Sequence, residues 1–280
     1  MGQRRNIKIL LEYDGRRFRG WSSSGEDRTV ASRVTTALTE ITGQPVTLNV
    51  AVRTDPGVHA EEQVANALLV TDLPEHELGQ ALEEKLPGDI ALLDLEDAPE
   101  DFHAQHQVQG VSWRLQVRWR RSALDRRCWL LDEPVDAATI KGLLKLLPGR
   151  QDLAPFTGGK VRKDKLRNTV VNVQRAELRS VEDGFDLFLS VSRHLPSAVR
   201  RLLGATVAVA RDELSGAHLA DALQPRPKLL SKMAERLSEL SASPHGLFLE
   251  GVKLGGRDRP RDGTSPTALR AKEALERDGR

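Results

Sequence analysis

Apolar and polar residues alternate over two stretches of the chain, Val46, Leu48, Val50, Val52 and Val111, Trp113, Leu115, Val117, Trp119. A period of two places each set on one face of an extended strand, so both stretches predict strands with one buried side. The same alternation recurs from Val64 to Val70 and at Phe185, Leu187, Leu189 and Val191. Shorter apolar runs at Ile7 to Tyr13 and Ile90 to Leu95 add two more strand candidates.

Between these strands the period lengthens to that of a helix. Val30, Val34, Ala37, Leu38 and Ile41 precede Gly43, a helix-ending residue. Further amphipathic patterns run from Pro74 to Leu86 and from Ala137 to Leu147, and another starts near Pro196, read as the first residue of a helix that carries Val199, Leu202, Leu203 and Val207. Strand pairs mixed with helices in this order predict an α+β fold, with helices packed on mainly antiparallel sheets.

Charge divides the chain. Residues 1–105 hold 10 Lys and Arg against 19 Asp and Glu, a balance of −9, whereas residues 106–254 hold 25 against 16, a balance of +9. This predicts an N-terminal α+β half, 1–105, a basic C-terminal α+β half, 106–254, and a mobile Gly-, Pro- and Arg-rich tail, 255–280. A basic half suits a polyanion such as RNA. The apolar runs are too short to span a membrane, and Met1 to Arg5 lead into a strand-like segment instead of a signal-peptide core, so a cytoplasmic protein is expected. The only cysteine, Cys128, lies in an apolar run and reads as a buried thiol.

Candidate chemistry centres on the end of the strand at Arg53, where Thr54-Asp55-Pro56-Gly57 is followed by Val58-His59. Asp-Pro-Gly is first of all a turn sequence, and most aspartates in that place only stabilise the turn. A carboxylate at the end of a rigid strand beside Arg53 is, however, also a positioned one.

Wider context adds to this. Leu11-Glu12-Tyr13-Asp14-Gly15 with Phe18 and Gly20-Trp21, then Arg53-Thr54-Asp55-Pro56-Gly57-Val58-His59 with Gln63-Val64, resembles the N-terminal half of the TruA family, tRNA pseudouridine synthase A. Leu86-Pro87-Gly88-Asp89-Ile90, Asp101-Phe102-His103-Ala104, Val199-Arg200 with Gly204, and Gly246-Leu247-Phe248-Leu249 follow in the family's order, so the resemblance covers about residues 6 to 254. It implies the pseudouridine synthase fold, two related halves whose sheets join around a central cleft. It also implies isomerisation of uridine in RNA without a cofactor or metal.

By that resemblance Asp55 is the catalytic residue, acting as a nucleophile at the ribose C1′ or through a glycal-like intermediate. Arg200 matches the arginine that pairs with it, in a fork that would hold the carboxylate in place. Arg53 would support the extruded nucleotide or its phosphate, and Leu247 would line the pocket. The family's tyrosine position is held by Trp113, which either stacks on the base or sits as a core residue on its alternating strand. The implied partner is tRNA, modified at uridines 38 to 40 of the anticodon arm by a homodimer.

Departures from the family surround these residues. Ser22-Ser23-Ser24 stands where glutamine is usual, Gln105 replaces a basic residue, and Pro196-Ser197-Ala198 replaces a histidine-containing run. They keep two other readings open: a divergent synthase acting on another RNA or on a small uridine nucleotide, and a non-catalytic RNA-binding paralogue. Two basic stretches are candidate phosphate contacts, Arg114, Arg118, Arg120, Arg121, Arg126 and Arg127, and Lys160, Arg162, Lys163, Lys165 and Arg167. His103 and His106 have metal-ligand spacing but no evident third ligand.

Overall fold

Strand β1, Arg4–Tyr13, runs antiparallel to β3, His59–Val70, on one side and to β4, Ile90–Ala98, on the other. Its Ile7, Ile9 and Leu11 are fully buried, on the apolar run that predicted a strand here. The computed structural model describes residues 2–22, 27–157, 169–223, 235–237 and 239–255. The expected tail and the lysine-rich stretch Lys160 to Arg167 lie outside the described residues.

The chain divides into two units. The first comprises Met1–Arg53, Ala60–Gln109 and the chain from Gly251; the second comprises Thr54–His59 and Gly110–Glu250. In the first, helix α1, Val30–Thr42, is opened by a capping box between Thr29 and Ser32 and closed by Gly43 at φ 70°. Helix α2, Glu75–Lys85, buries Leu78 and Leu82 and packs on β4. Strand β2 is only Leu48–Val50, shorter than the alternation from Val46 to Val52 suggested. The reason is local: the Val52 carbonyl accepts from the buried Gln63 side chain at 2.7 Å in place of a strand partner.

Motifs of the first unit interlock. The Asn66 side chain donates to Asn6 at 2.8 Å and accepts from the Ala104 N–H at 2.9 Å, while Asn6 donates to the Phe102 carbonyl at 2.9 Å. These buried bonds fix the Phe102-His103-Ala104 turn against β1 and β3. Arg28 pairs with Asp89 at 2.7 Å and lies 4.1 Å over the Phe18 ring, joining two separated motifs.

In the second unit, β5, Val108–Arg118, is antiparallel to β9, Gly184–Val191, which is antiparallel to β8, Val170–Val181, which pairs in turn with β7, Gly149–Asp152. The short β6, Trp129–Leu130, adds a parallel pairing to β5. The architecture is α+β with mainly antiparallel sheets, as the strand and helix patterns predicted. Val111, Trp113, Leu115 and Val117 are all buried, and Trp119 is half-buried against Phe185.

Helix α3, Ala137–Leu144, is capped by Asp136, which accepts from the Ala138 and Thr139 N–H groups. It ends before Leu147 because the last turn tightens: Leu146 and Leu147 donate to Leu143 and Leu144, three residues back. Helix α4, Ala198–Ala210, starts two residues later than expected. Pro196 is not its first residue, since Ser197 adopts φ 58°, a left-handed conformation that no helical residue can hold. Helix α5, Gly216–Leu223, and strand β10, Leu247–Leu254, complete the order.

Candidate active site

Asp55 begins a tight turn whose chemistry is written in the next two residues. Proline at 56 pre-sets the first central φ of a type II turn, and Gly57 takes the left-handed φ of 82° that the second requires. The Val58 N–H closes the turn on the Asp55 carbonyl at 3.2 Å. The following residue anchors the segment inside the second unit. His59 is buried, its ring stacks on Phe248 at 4.6 Å, and Nε2 donates to the His245 carbonyl at 3.1 Å.

Helix α4 supplies the facing groups. Val199, Leu202 and Leu203 are buried, and a side chain at Gly204 would collide with the Leu240 carbonyl. The Ala242 N–H donates to the Arg200 carbonyl at 3.0 Å. Burial on one face and this bond on the other seat the first turn of α4, and with it Arg200.

Arg200 Nε lies 3.3 Å from Asp55 Oδ2, with the two side chains 23% and 21% exposed. The Nε–H does not point along a hydrogen bond, so the pair is held by charge and is not the planar fork expected from sequence. The other carboxylate oxygen, Oδ1, accepts from the Ser197 hydroxyl at 3.2 Å. Next to Arg200, Arg201 donates to the Phe156 carbonyl at 3.2 Å, and burial, then the neighbouring Arg200 charge, lowers its pKa.

Asp55, Ser197, Arg200, Trp113, His194 and Leu247 line one pocket of the second unit. Four of the five residues singled out from sequence therefore meet there. The fifth, Arg53, is exposed, belongs to the first unit and is not among the lining residues. Ser197 and His194 had not been singled out. Ser197 stands three residues before Arg200, one helical turn away, and that spacing was the available signal.

Trp113 sits as a core residue on its strand and also reaches the pocket wall. It is 3% exposed on β5 opposite Leu189, and its ring also meets His194 at 5.7 Å on the pocket wall. Its indole N–H has no hydrogen-bond partner among the described residues. With these rings in place the pocket leaves about 10 Å³ of open space, room for one water.

Comparison with known proteins places the chain. The tRNA pseudouridine synthase A of Clostridium botulinum (strain Eklund 17B / Type B) is 28% identical over 251 residues, 89% of this chain and 99% of that protein. A tRNA pseudouridine synthase A 2 of Bacillus cereus is 27% identical over 255 residues, with the same shares. The chain is similar to tRNA pseudouridine synthase A over 89% of its length. No family model matches it. A solved archaeal box H/ACA sRNP Nop10-Cbf5 complex aligns with a TM-score of 0.34 and 11% identity over 85% of this chain and 60% of that one, a likeness too loose to carry an argument.

The chain uses part of its arginine stretch internally. Arg114 pairs with Glu250 at 3.5 Å and lies over Phe248, and Arg118 pairs with the buried Asp186 at 2.8 Å. Arg120, Arg121, Arg126 and Arg127 are exposed. Cys128 is half-buried, less enclosed than its apolar run suggested, and burial raises its pKa. The His103 and His106 rings stack at 3.9 Å, and among the described residues no group of three ligand-type side chains could hold a metal. No described helix is long and apolar enough to cross a membrane.

Proposed function

We propose that this chain isomerises uridine to pseudouridine in RNA, with tRNA as the substrate and Asp55 as the reacting group. The observation that carries the reading is the Asp55 carboxylate held at 3.3 Å by Arg200 on the wall of a pocket also lined by Trp113 and Leu247. Relatives named for this reaction support it over nearly their whole length.

The reaction breaks the C1′–N1 bond, turns the uracil, and joins C1′ to C5; the proton leaves C5 and N1 gains one. Substrate and product have the same atoms, so no external donor or oxidant is needed. Asp55 either attacks C1′ directly or removes a ribose proton on a glycal route, and both require an oriented carboxylate. Arg200 orients it. Trp113 and Leu247 grip a base taken out of the stack, and Arg53 contacts its phosphate. The exposed arginines from Arg120 to Arg127 hold the RNA backbone.

The family resemblance further carries a cytoplasmic homodimer that binds one tRNA across both subunits and modifies anticodon-arm uridines 38 to 40. Sedimentation with and without tRNA tests the assembly. Trp113 in the family's tyrosine position, Ser22 in place of glutamine and the acidic first half favour a second reading, a divergent synthase for another RNA or a small uridine nucleotide. Tritium release from tRNA carrying 5-³H-uridine, set beside release from 5-³H-UMP, tests both: release from tRNA supports the first reading, and release from UMP alone replaces it with the second.

A further inference from the structure

We propose that Ser197 is a positioning residue for Asp55, an inference that rests on Asp55 being the reacting group. A serine before a helix normally holds an extended backbone and accepts a hydrogen bond from the helix's first turn. Ser197 does neither. Its φ of 58° is left-handed, disfavoured for a residue with a Cβ, and its side chain makes no capping bond. The hydroxyl instead donates to Asp55 Oδ1 at 3.2 Å.

Arg200 stands one turn further along the same helix edge, 3.3 Å from Oδ2. A single helical turn thus addresses both carboxylate oxygens, one by charge and one by a hydrogen bond. The ion pair alone leaves the carboxylate free to swing, because Arg200 Nε is not aligned with Oδ2. The serine bond removes that freedom. Two unfavourable features, a left-handed backbone and a forgone cap, coincide at the one residue that touches Oδ1, and unfavourable backbone held beside a pocket is characteristic of functional positions.

Two substitutions separate positioning from folding. Ser197→Gly suits the left-handed backbone and deletes the hydroxyl; Ser197→Asn also tolerates that backbone and restores a donor. In tritium release from tRNA, Ser197→Gly should lower kcat by about 10- to 100-fold with KM unchanged, at an unfolding temperature no lower than wild type. Ser197→Asn should recover most of that loss. A folded Ser197→Gly protein with wild-type kcat would overturn the proposal.

The Asp55 side-chain carboxyl ¹³C resonance gives a readout that needs no turnover. It should move in Ser197→Gly and return toward its wild-type position in Ser197→Asn. A wild-type protein inactive on every RNA would remove the functional reading, yet this resonance would still decide whether Ser197 holds Asp55; an unmoved resonance in Ser197→Gly overturns the inference.

Discussion

Arg200 Nε stands 3.3 Å from Asp55 Oδ2, and the two reach each other from a turn and a helix far apart in sequence. Each is placed by its own local chemistry: the aspartate by a Pro-Gly turn, the arginine by the seating of α4. Because both side chains keep some exposure, the pair adds little to stability, about 1 kcal/mol or less. Its value lies in geometry. Arg200→Ala should therefore unfold at nearly the wild-type urea concentration while losing about 10²- to 10³-fold in kcat. A large fall in stability with activity per folded molecule intact would contradict this.

Trp113 fills the wall of a pocket that leaves room for one water. Tyrosine is smaller and brings a phenolic oxygen. Trp113→Tyr should raise the rate of tritium release from tRNA, with a stability cost of about 1–2 kcal/mol for the lost ring volume. A slower Trp113→Tyr enzyme would mean that the indole itself grips the base.

Gly204 lies where the backbone of the Leu240–Ala242 segment comes closest to α4. A methyl group there cannot be absorbed by rotating a side chain, because the atoms it meets are backbone. Gly204→Ala should destabilise the protein by about 1–3 kcal/mol or more. Urea unfolding reads the loss, and a neutral substitution would show that the segment moves freely off the helix.

His103 carries a pH dependence of stability. Burial first, then the charge of stacked His106, lowers its pKa below the ordinary 6.5. The folded state thus binds its proton less readily than the unfolded state. Stability from this group is fully present above pH 6.5 and falls as the pH drops through the unfolded value toward the lower folded one. The ring also accepts from the Gln105 N–H at 3.3 Å through Nδ1, a bond lost on protonation. Urea midpoints measured from pH 7.5 to 5 should fall for the wild type and fall less for His103→Gln; equal slopes would remove the assignment.

The exposed arginines give a binding prediction. Replacing Arg120, Arg121, Arg126 and Arg127 by alanine should weaken tRNA binding and lower the steepness of its salt dependence, since each phosphate contact releases counterions. The fold should be unaffected, as their partners are surface carboxylates such as Asp183 and Asp125. An unchanged salt slope would place the RNA elsewhere.

What sequence patterns disclosed tracks burial. β5 and β9 were legible because buried apolar side chains alternate or crowd along them, and α1 because Gly43 marks its end. β8 was not: past Val171 and Val173 it carries Arg175, Glu177 and Arg179, and it stays extended through its pairing with β9 and through arginines laid over the Phe188 ring. α5, eight residues long, likewise passed unnoticed. At the pocket, Asp55 and Arg200 stood out only through family resemblance, because a turn aspartate and a helix arginine are ordinary in isolation. Ser197 carried only its three-residue spacing to Arg200 as a signal, and nothing in its neighbours announces a left-handed serine.

The proposed role of Asp55 in the isomerisation is tested by tritium release from 5-³H-uridine tRNA by the wild type and by Asp55→Ala. The wild type should release tritium stoichiometrically, and a folded Asp55→Ala protein none above background. Release that persists without the Asp55 carboxylate, or a folded wild type that releases nothing, would contradict it.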